Sequence, residues 1–142
     1  PRPGVEWEHT SHQLPVVAHV SPPLPEPADE ETVCLLSCDR FAKMSGTRFM
    51  LKVQGDAMRG AGILEGDLAL VRPHPEDAAN NDIVVVWLNG DTLVRRCLHE
   101  QGFIRLQPEN QSFDPIFVRH GAAGFHIIGT VIGIFRMFRP LV

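Results

Sequence analysis

The sequence has few of the features that mark membrane, secreted or metal-binding proteins. Its longest apolar run, 125–135, is about half as long as a helix that spans a bilayer, and the first residues lack the basic end and apolar run of a signal peptide. Three cysteines are an odd number for a disulfide framework, and none lies in a CxxC pair. We therefore expect reduced thiols in a cytoplasmic protein, no membrane contact and no cofactor. A zinc site built from Cys34, Cys38 and a histidine is the alternative.

Positive charge is also scarce. The net charge is −4 at pH 7. Residues 1–32 contain six acidic residues and one basic residue, whereas residues 33–142 contain eleven acidic and twelve basic residues. Neither part has the dense basic surface of a protein that reads nucleic acid. If the parent protein binds DNA, it must do so through a segment absent from this chain.

The prolines divide the chain into two parts. Seven of the twelve prolines lie in residues 1–32. Because proline fixes φ and has no N–H, this part is predicted to be an acidic extended arm or linker, with a short edge strand at 14–20. Residues 33–142 are predicted to form one domain, since about 110 residues can bury a hydrophobic core.

Alternating apolar residues predict that this domain is mainly β. In the first clear strand, Phe49, Leu51 and Val53 are expected on a buried face and Met50 on the opposite face. The pattern predicts further strands at 67–71, 82–88, 92–98, 103–107 and 125–138. The predicted architecture is a small bent barrel or a pair of packed sheets.

Glycines mark the expected turns and bends. Asn89-Gly90 predicts a tight hairpin turn, and Gly129 and Gly133 predict bends or bulges in the last strand. Only residues 55–64 suggest a helical turn.

Three ordered segments resemble one known family. Residues 51–71 contain Gly-Asp-Ala-Met, a short spacer and a second Gly-Asp pair. This segment resembles the nucleophile loop of the LexA, UmuD and phage CI-repressor autopeptidases, the peptidase S24 family. Residues 91–110, which end in Leu-Gln-Pro-Glu-Asn, and residues 125–136 extend the resemblance. It covers residues 14–138 and implies the fold of the LexA C-terminal domain, which is signal-peptidase-like.

The resemblance implies an active site that has lost two side chains. The family's nucleophilic serine falls on Ala57, and its general-base lysine falls on Arg95. A methyl group cannot attack a carbonyl, and a guanidinium stays protonated and cannot act as the base. The backbone of Met58 matches the oxyanion-hole position. We expect Arg95 to fill the space of the lysine and to place its charge near Asp56 or the arm.

The segment that the family cleaves is altered as well. Residues 14–25 resemble that segment, but the matching bond lies at Pro22-Pro23, and no Ala-Gly or Cys-Gly bond occurs in residues 1–40. A Pro-Pro bond has no amide hydrogen and restricted rotation. An engineered serine-to-alanine change that traps an uncut chain would explain Ala57 alone. Natural decay explains all three changes and is the interpretation that we favour.

Dimerisation is the second activity that the resemblance implies. In LexA-like and CI-like repressors the last strand forms much of the contact between two copies. We expect this strand to be an exposed edge that a two-fold partner pairs. The alternative is that its apolar side chains all face their own core. Since a period of two sends neighbouring side chains to both faces, we assign four candidate residues to the core and the interface together: Ile128, Val131, Ile132 and Ile134.

Other polar and aromatic residues are given structural roles. Asp56 and Asp67 flank the nucleophile loop, and we expect turn and cap residues there rather than an acid–base pair. His126 and Trp87 are expected in the core.

The sequence thus predicts the non-catalytic dimerisation domain of a LexA/CI-like transcriptional repressor that cannot cleave itself. Such a domain would not give the RecA-stimulated self-cleavage of the SOS response to DNA damage. One alternative is a serine–lysine autopeptidase seen as a nucleophile mutant. Another is a UmuD-like accessory subunit of a translesion DNA polymerase. A second copy is the expected partner, with RecA or a translesion polymerase as further candidates.

Overall fold

A computed structural model describes residues 11–19, 32–36, 48–73, 76 and 78–138. These residues form nine strands and one short 3-10 turn, Arg59–Ala61. No helix in these ranges is long and apolar enough to cross a membrane. The strands are β1 (Ser11–Val17), β2 (Thr32–Leu36), β3 (Phe49–Lys52), β4 (Leu68–Arg72), β5 (Ile83–Leu88), β6 (Asp91–Glu100), β7 (Phe103–Gln107), β8 (Ile116–Arg119) and β9 (Phe125–Phe135).

The strands form one open sheet in the order β2-β1-β3-β4-β9-β5-β6-β7-β8. β1 and β3 are parallel, and the other neighbouring pairs are antiparallel. The prediction of a mainly β fold is confirmed.

Apolar side chains cover both faces of this sheet. In β5, Val85 packs into one cluster, whereas Val84 and Val86 pack into another. Since neighbouring side chains of a strand point to opposite faces, the two clusters lie on opposite sides of β5. The first cluster also contains Leu51 of β3 and Val94 of β6, so it joins the two halves of the sheet.

Met50 contradicts the prediction that β3 has only one buried face. It lies on the face opposite Phe49 and Leu51, yet it is fully buried, in a third cluster that includes Val16 and Leu70. The prediction fails because β1 and β4 place apolar residues on this second face as well. Alternation within β3 carries no information about those neighbours.

β1 lies between two strands and is not an edge strand, so that prediction is wrong. Residues 11–15 pair with β2, and Val16 and Val17 pair with β3. Pro15 is the last residue of the ladder with β2. Its missing N–H therefore falls where β1 changes partner, which is how a strand with a proline can lie inside the sheet. The boundary between arm and domain at residue 33 stays a prediction.

β9 is a central strand, so the prediction of an exposed final edge is also wrong. It pairs with β5 through residues 125–130 and with β4 through residues 130–135. Its neighbours within the chain already pair it, and no second copy is needed for that purpose. The sequence could not show this, because β9 inserts between two strands that are consecutive along the chain.

Two irregularities in β9 fall beside its glycines, as predicted. The pairing with β5 shifts by one residue beside Gly129, and the pairing with β4 shifts beside Gly133. The first approach is very close, because a Cβ at Gly129 would lie 2.4 Å from the Arg72 carbonyl oxygen. The strand ends at Phe135 rather than at the predicted residue 138.

The turn at Asn89-Gly90 joins β5 to β6 as predicted. Its two residues have φ values of 48° and 94°, and two-residue hairpin turns of this kind require positive φ at both positions.

β8 is a strand that the sequence pattern does not predict, because its four residues are too few to show a clear alternation of apolar and polar side chains. Pairing with β7 orders it.

Candidate functional site at the Ala57 loop

Ala57 and Met58 lie in the loop between β3 and β4, and both side chains are buried. The Asp56 carbonyl accepts a hydrogen bond from the Arg59 N–H at 3.1 Å. The 3-10 turn that follows confirms the helical turn predicted in residues 55–64. This fold of the loop places Ala57 at the wall of a cavity of about 160 Å³.

A second loop, between β7 and β8, braces the Ala57 loop. The Glu109 N–H donates to the Ala57 carbonyl at 2.8 Å, and the Gly60 N–H donates to the Glu109 carbonyl at 2.7 Å. The Asn110 side-chain amide donates to the Asp56 carbonyl at 2.9 Å. The sequence pattern does not predict these bonds. The only local signal for these contacts is Pro108-Glu109-Asn110, which belongs to a segment that resembles the family.

Arg95 reaches the same cavity from β6. The residue is only 9% exposed. Its Nη1 donates to the neighbouring Val94 carbonyl at 2.8 Å, and its Nε is buried without a hydrogen-bond partner. The guanidinium carbon lies 5.8 Å from the centre of the Phe113 ring, within the range of a cation–π contact. Burial lowers the pKa of the guanidinium, but an arginine stays charged at physiological pH.

Asp56 forms its ion pair with Arg59 and not with Arg95. Across the described ranges, no carboxylate forms an ion pair with Arg95. The sequence does not predict the contact between Arg95 and Phe113, and no motif points to it.

The structure brings the predicted nucleophile and base positions to one cavity. Ala57, Met58 and Arg95 all border it, together with Ala18 at the end of β1 and Phe113. Neither a methyl nor a guanidinium accepts a proton. These two side chains can hold an apolar or anionic group, but they cannot activate a nucleophile. The oxyanion role of Met58 stays a prediction, and the Pro22-Pro23 bond lies outside the described residues.

Comparison with known proteins identifies the family. A model of the family described as Peptidase S24-like matches residues 15–132. The chain belongs to the peptidase S24-like family. It is 44% identical over 126 residues to the LexA repressor of Geobacter metallireducens, a match that covers 89% of this chain and 62% of that protein.

Other relatives of this S24-like chain carry the same name. LexA repressor 1 of Geobacter sulfurreducens is 46% identical over 127 residues, with 89% of this chain and 62% of that protein covered. The LexA repressor of Clostridium perfringens is 37% identical over 126 residues, with 88% and 60% covered. The S24-like chain therefore spans about three fifths of the length of the curated relatives that it matches.

An ion pair between the buried Asp67 and the exposed Arg136 joins the Ala57 loop to the residue after β9 in this S24-like domain. Asp67 is 2% exposed and accepts from the Leu64 N–H at 2.8 Å, which confirms the predicted turn role. Arg136 donates to its two carboxylate oxygens at 2.6 and 2.7 Å and to the Gly62 carbonyl at 2.8 Å. The hydrogen bonds from Arg136 hold the pKa of Asp67 below its usual value. The end of β9 is thereby fastened to the loop.

The four candidate interface residues of β9 are half-buried against their own core. Three pack on the first cluster, and Ile132 packs on the third. Their role between copies stays a prediction. The three that pack on the first cluster are Ile128, Val131 and Ile134.

The sequence predicts roles for three further residues: His126 and Trp87 in the core, and Cys97 as a reduced thiol. His126 is exposed and Trp87 only half-buried, so the core assignment of His126 is wrong. The two ring centroids lie 5.8 Å apart, and the ring planes are inclined at 48°.

Cys97 is buried and its thiol is free. Burial raises the pKa of this thiol. Among the described residues, no group of three or more His, Cys, Asp or Glu is arranged to hold a metal.

Proposed function

We propose that this chain is the non-catalytic dimerisation and regulatory domain of a LexA/CI-like transcriptional repressor that cannot cleave itself. The observation that carries the proposal is the pairing of Ala57 and Arg95 at one cavity. Similarity to proteins named LexA repressor supports the repressor context. DNA binding would belong to a segment outside this sequence, because the match covers about three fifths of those repressors.

Self-cleavage at such a cavity would require two events that these residues cannot perform. A serine hydroxyl must lose its proton to a neighbouring base as it attacks, and a lysine can take that proton when burial leaves its amine neutral. Ala57 has no oxygen, and the buried guanidinium of Arg95 keeps its protons. Each substitution removes the reaction by itself.

The chain is expected to stay intact under conditions that make an active family member cleave itself. After incubation at alkaline pH, or with activated RecA, mass spectrometry should give one unchanged mass. The Ala57→Ser variant should also stay intact, because Arg95 cannot act as its base. Two fragments split within residues 20–25 of the unaltered chain would contradict the proposal.

Two further measurements separate the causes of inactivity. A native gene that encodes serine at position 57 would show that Ala57 is engineered. It would favour the alternative that the native protein is a serine–lysine autopeptidase. A variant carrying both Ala57→Ser and Arg95→Lys tests the arm. Continued absence of cleavage in that variant assigns a third defect to the segment around Pro22-Pro23.

We infer that two copies associate through the surface around the end of β9. Ile132 and Ile134, near the end of β9, are only half-buried, one on the third cluster and one on the first, and the exposed Met137 and Phe138 follow them in the chain. Phe138 is 96% exposed. An apolar surface of this kind is a common feature of contacts between copies.

Replacing Phe138 by aspartate is expected to raise the dimer dissociation constant about tenfold or more, which corresponds to about 1.4 kcal/mol. Sedimentation velocity over a concentration series would measure it. Phe117→Asp is the matched control, because Phe117 is 60% exposed but lies on β8 at one end of the sheet. A chain that stays monomeric at high concentration, or an equal loss in both variants, would refute this interface.

A further inference from the structure

Arg95 is a buried cation for which the described residues supply no counter-charge. Its Nη1 is satisfied only by the carbonyl of Val94, and its Nε has no partner. The ring of Phe113 is the one other contact that its charge makes within the described ranges. A charge held out of water without a partner is unfavourable. An anion that reached the guanidinium would therefore bind there, and its binding would stabilise the folded state.

The cavity beside Arg95 is mostly apolar and has the size of a small ring. Its volume is about 160 Å³, and its walls include Leu51, Val53, Met58 and Leu93. An apolar protein cavity of about 150 Å³ can hold benzene. The cavity thus combines space for a compact apolar group with the buried positive charge of Arg95, and the exposed Lys52 also borders it.

We propose that this cavity binds a small organic carboxylate whose apolar part is about the size of a benzene ring. The carboxylate accepts hydrogen bonds from the part of the Arg95 guanidinium that borders the cavity, a charge-assisted contact that arginine commonly makes with carboxylates. The apolar part packs between Met58 and Leu93. The site goes beyond the proposed function and does not depend on it, since binding is measured on the chain itself.

The charge and the ring of the ligand should each contribute to its binding affinity. Benzoate, which carries both the charge and the ring, is expected to bind more tightly than acetate, which lacks the ring. It is also expected to bind more tightly than benzyl alcohol, which lacks the charge. Equal binding of benzoate and benzyl alcohol would show that Arg95 does not select the ligand and would overturn the proposal.

Isothermal titration of the full chain with benzoate tests the site, and a rise in melting temperature with benzoate concentration provides a second readout. Arg95→Met removes the charge and keeps an unbranched apolar side chain. It should weaken benzoate binding by about tenfold to a hundredfold. The matched control is Arg105→Met, because the Nε of Arg105 is also buried without a partner but the residue does not border the cavity.

A second variant keeps the test valid if Arg95→Met fails to fold. Ala57→Leu leaves the guanidinium in place and adds apolar volume at the cavity wall, so it should abolish benzoate binding. Absence of benzoate binding to the unaltered chain would overturn the proposal. So would equal binding to the unaltered chain and to either cavity variant.

Discussion

Replacing Gly129 by alanine is expected to lower the free energy of unfolding by about 3 kcal/mol, the upper part of the range for overpacked sites. A Cβ at this position would lie 2.4 Å from the Arg72 carbonyl oxygen and 2.9 Å from the Pro73 Cα. Both are backbone atoms, so no side chain can rotate away to make room. β9 would have to move from β4, at the point where it passes from β5 to β4.

Urea unfolding followed by circular dichroism would measure this loss. Gly133→Ala is the matched control, because Gly133 lies in the same strand and a Cβ there would come no closer than 3.8 Å to Leu70. The control should change stability by less than about 1 kcal/mol, in either direction. Similar losses in the two variants would show that the close approach of β9 to Arg72 is not the cause.

Replacing Gly60 by alanine is expected to cost about 2 kcal/mol and to loosen the loop that carries Ala57. A Cβ at Gly60 would lie 2.5 Å from the Glu109 carbonyl oxygen, which accepts the Gly60 N–H at 2.7 Å. The two loops must therefore separate. The hydrogen bond from the Glu109 N–H to the Ala57 carbonyl would weaken with them.

Amide hydrogen exchange would report this loosening directly. In Gly60→Ala the Glu109 N–H should exchange faster. The β5 amides should keep the same order and ratio of protection among themselves. Ala61→Ser serves as the control, because Ala61 is the exposed next residue of the same turn. Unchanged protection of the Glu109 N–H in Gly60→Ala would show that the brace does not hold the loop.

Features that depend on neighbours in sequence could be predicted from it. The Asn89-Gly90 turn, the bends beside Gly129 and Gly133 and the helical turn before Ile63 all follow from local backbone preference. β7 follows from its alternation, with Ile104 and Leu106 buried. In each case the residues that decide the structure lie within a few positions of one another.

Features that depend on neighbours in space were predicted wrongly or not at all. Met50 is buried because β1 and β4 cover the second face of β3. β1 and β9 are interior strands because distant segments pair with them on both sides. A period of two shows which residues share a face, but it does not show what covers that face or whether the edges of the strand are paired.

The site divides in the same way. Ala57 and Arg95 could be assigned by resemblance, because the motifs that surround them are contiguous in sequence. The brace through Glu109 and Asn110 and the contact between Arg95 and Phe113 join residues from separate strands and loops. No local pattern encodes those contacts.

By itself, the sequence determined which chemistry is available: a methyl at position 57, a guanidinium at position 95 and a strand-forming periodicity throughout the domain. Only the tertiary structure decided that the two side chains share one cavity and that the guanidinium is buried without a counter-charge. It also decided that the last strand lies inside the sheet. The reason is that side-chain chemistry and backbone preference are properties of single residues and their close neighbours. Burial and strand pairing arise only when distant segments meet.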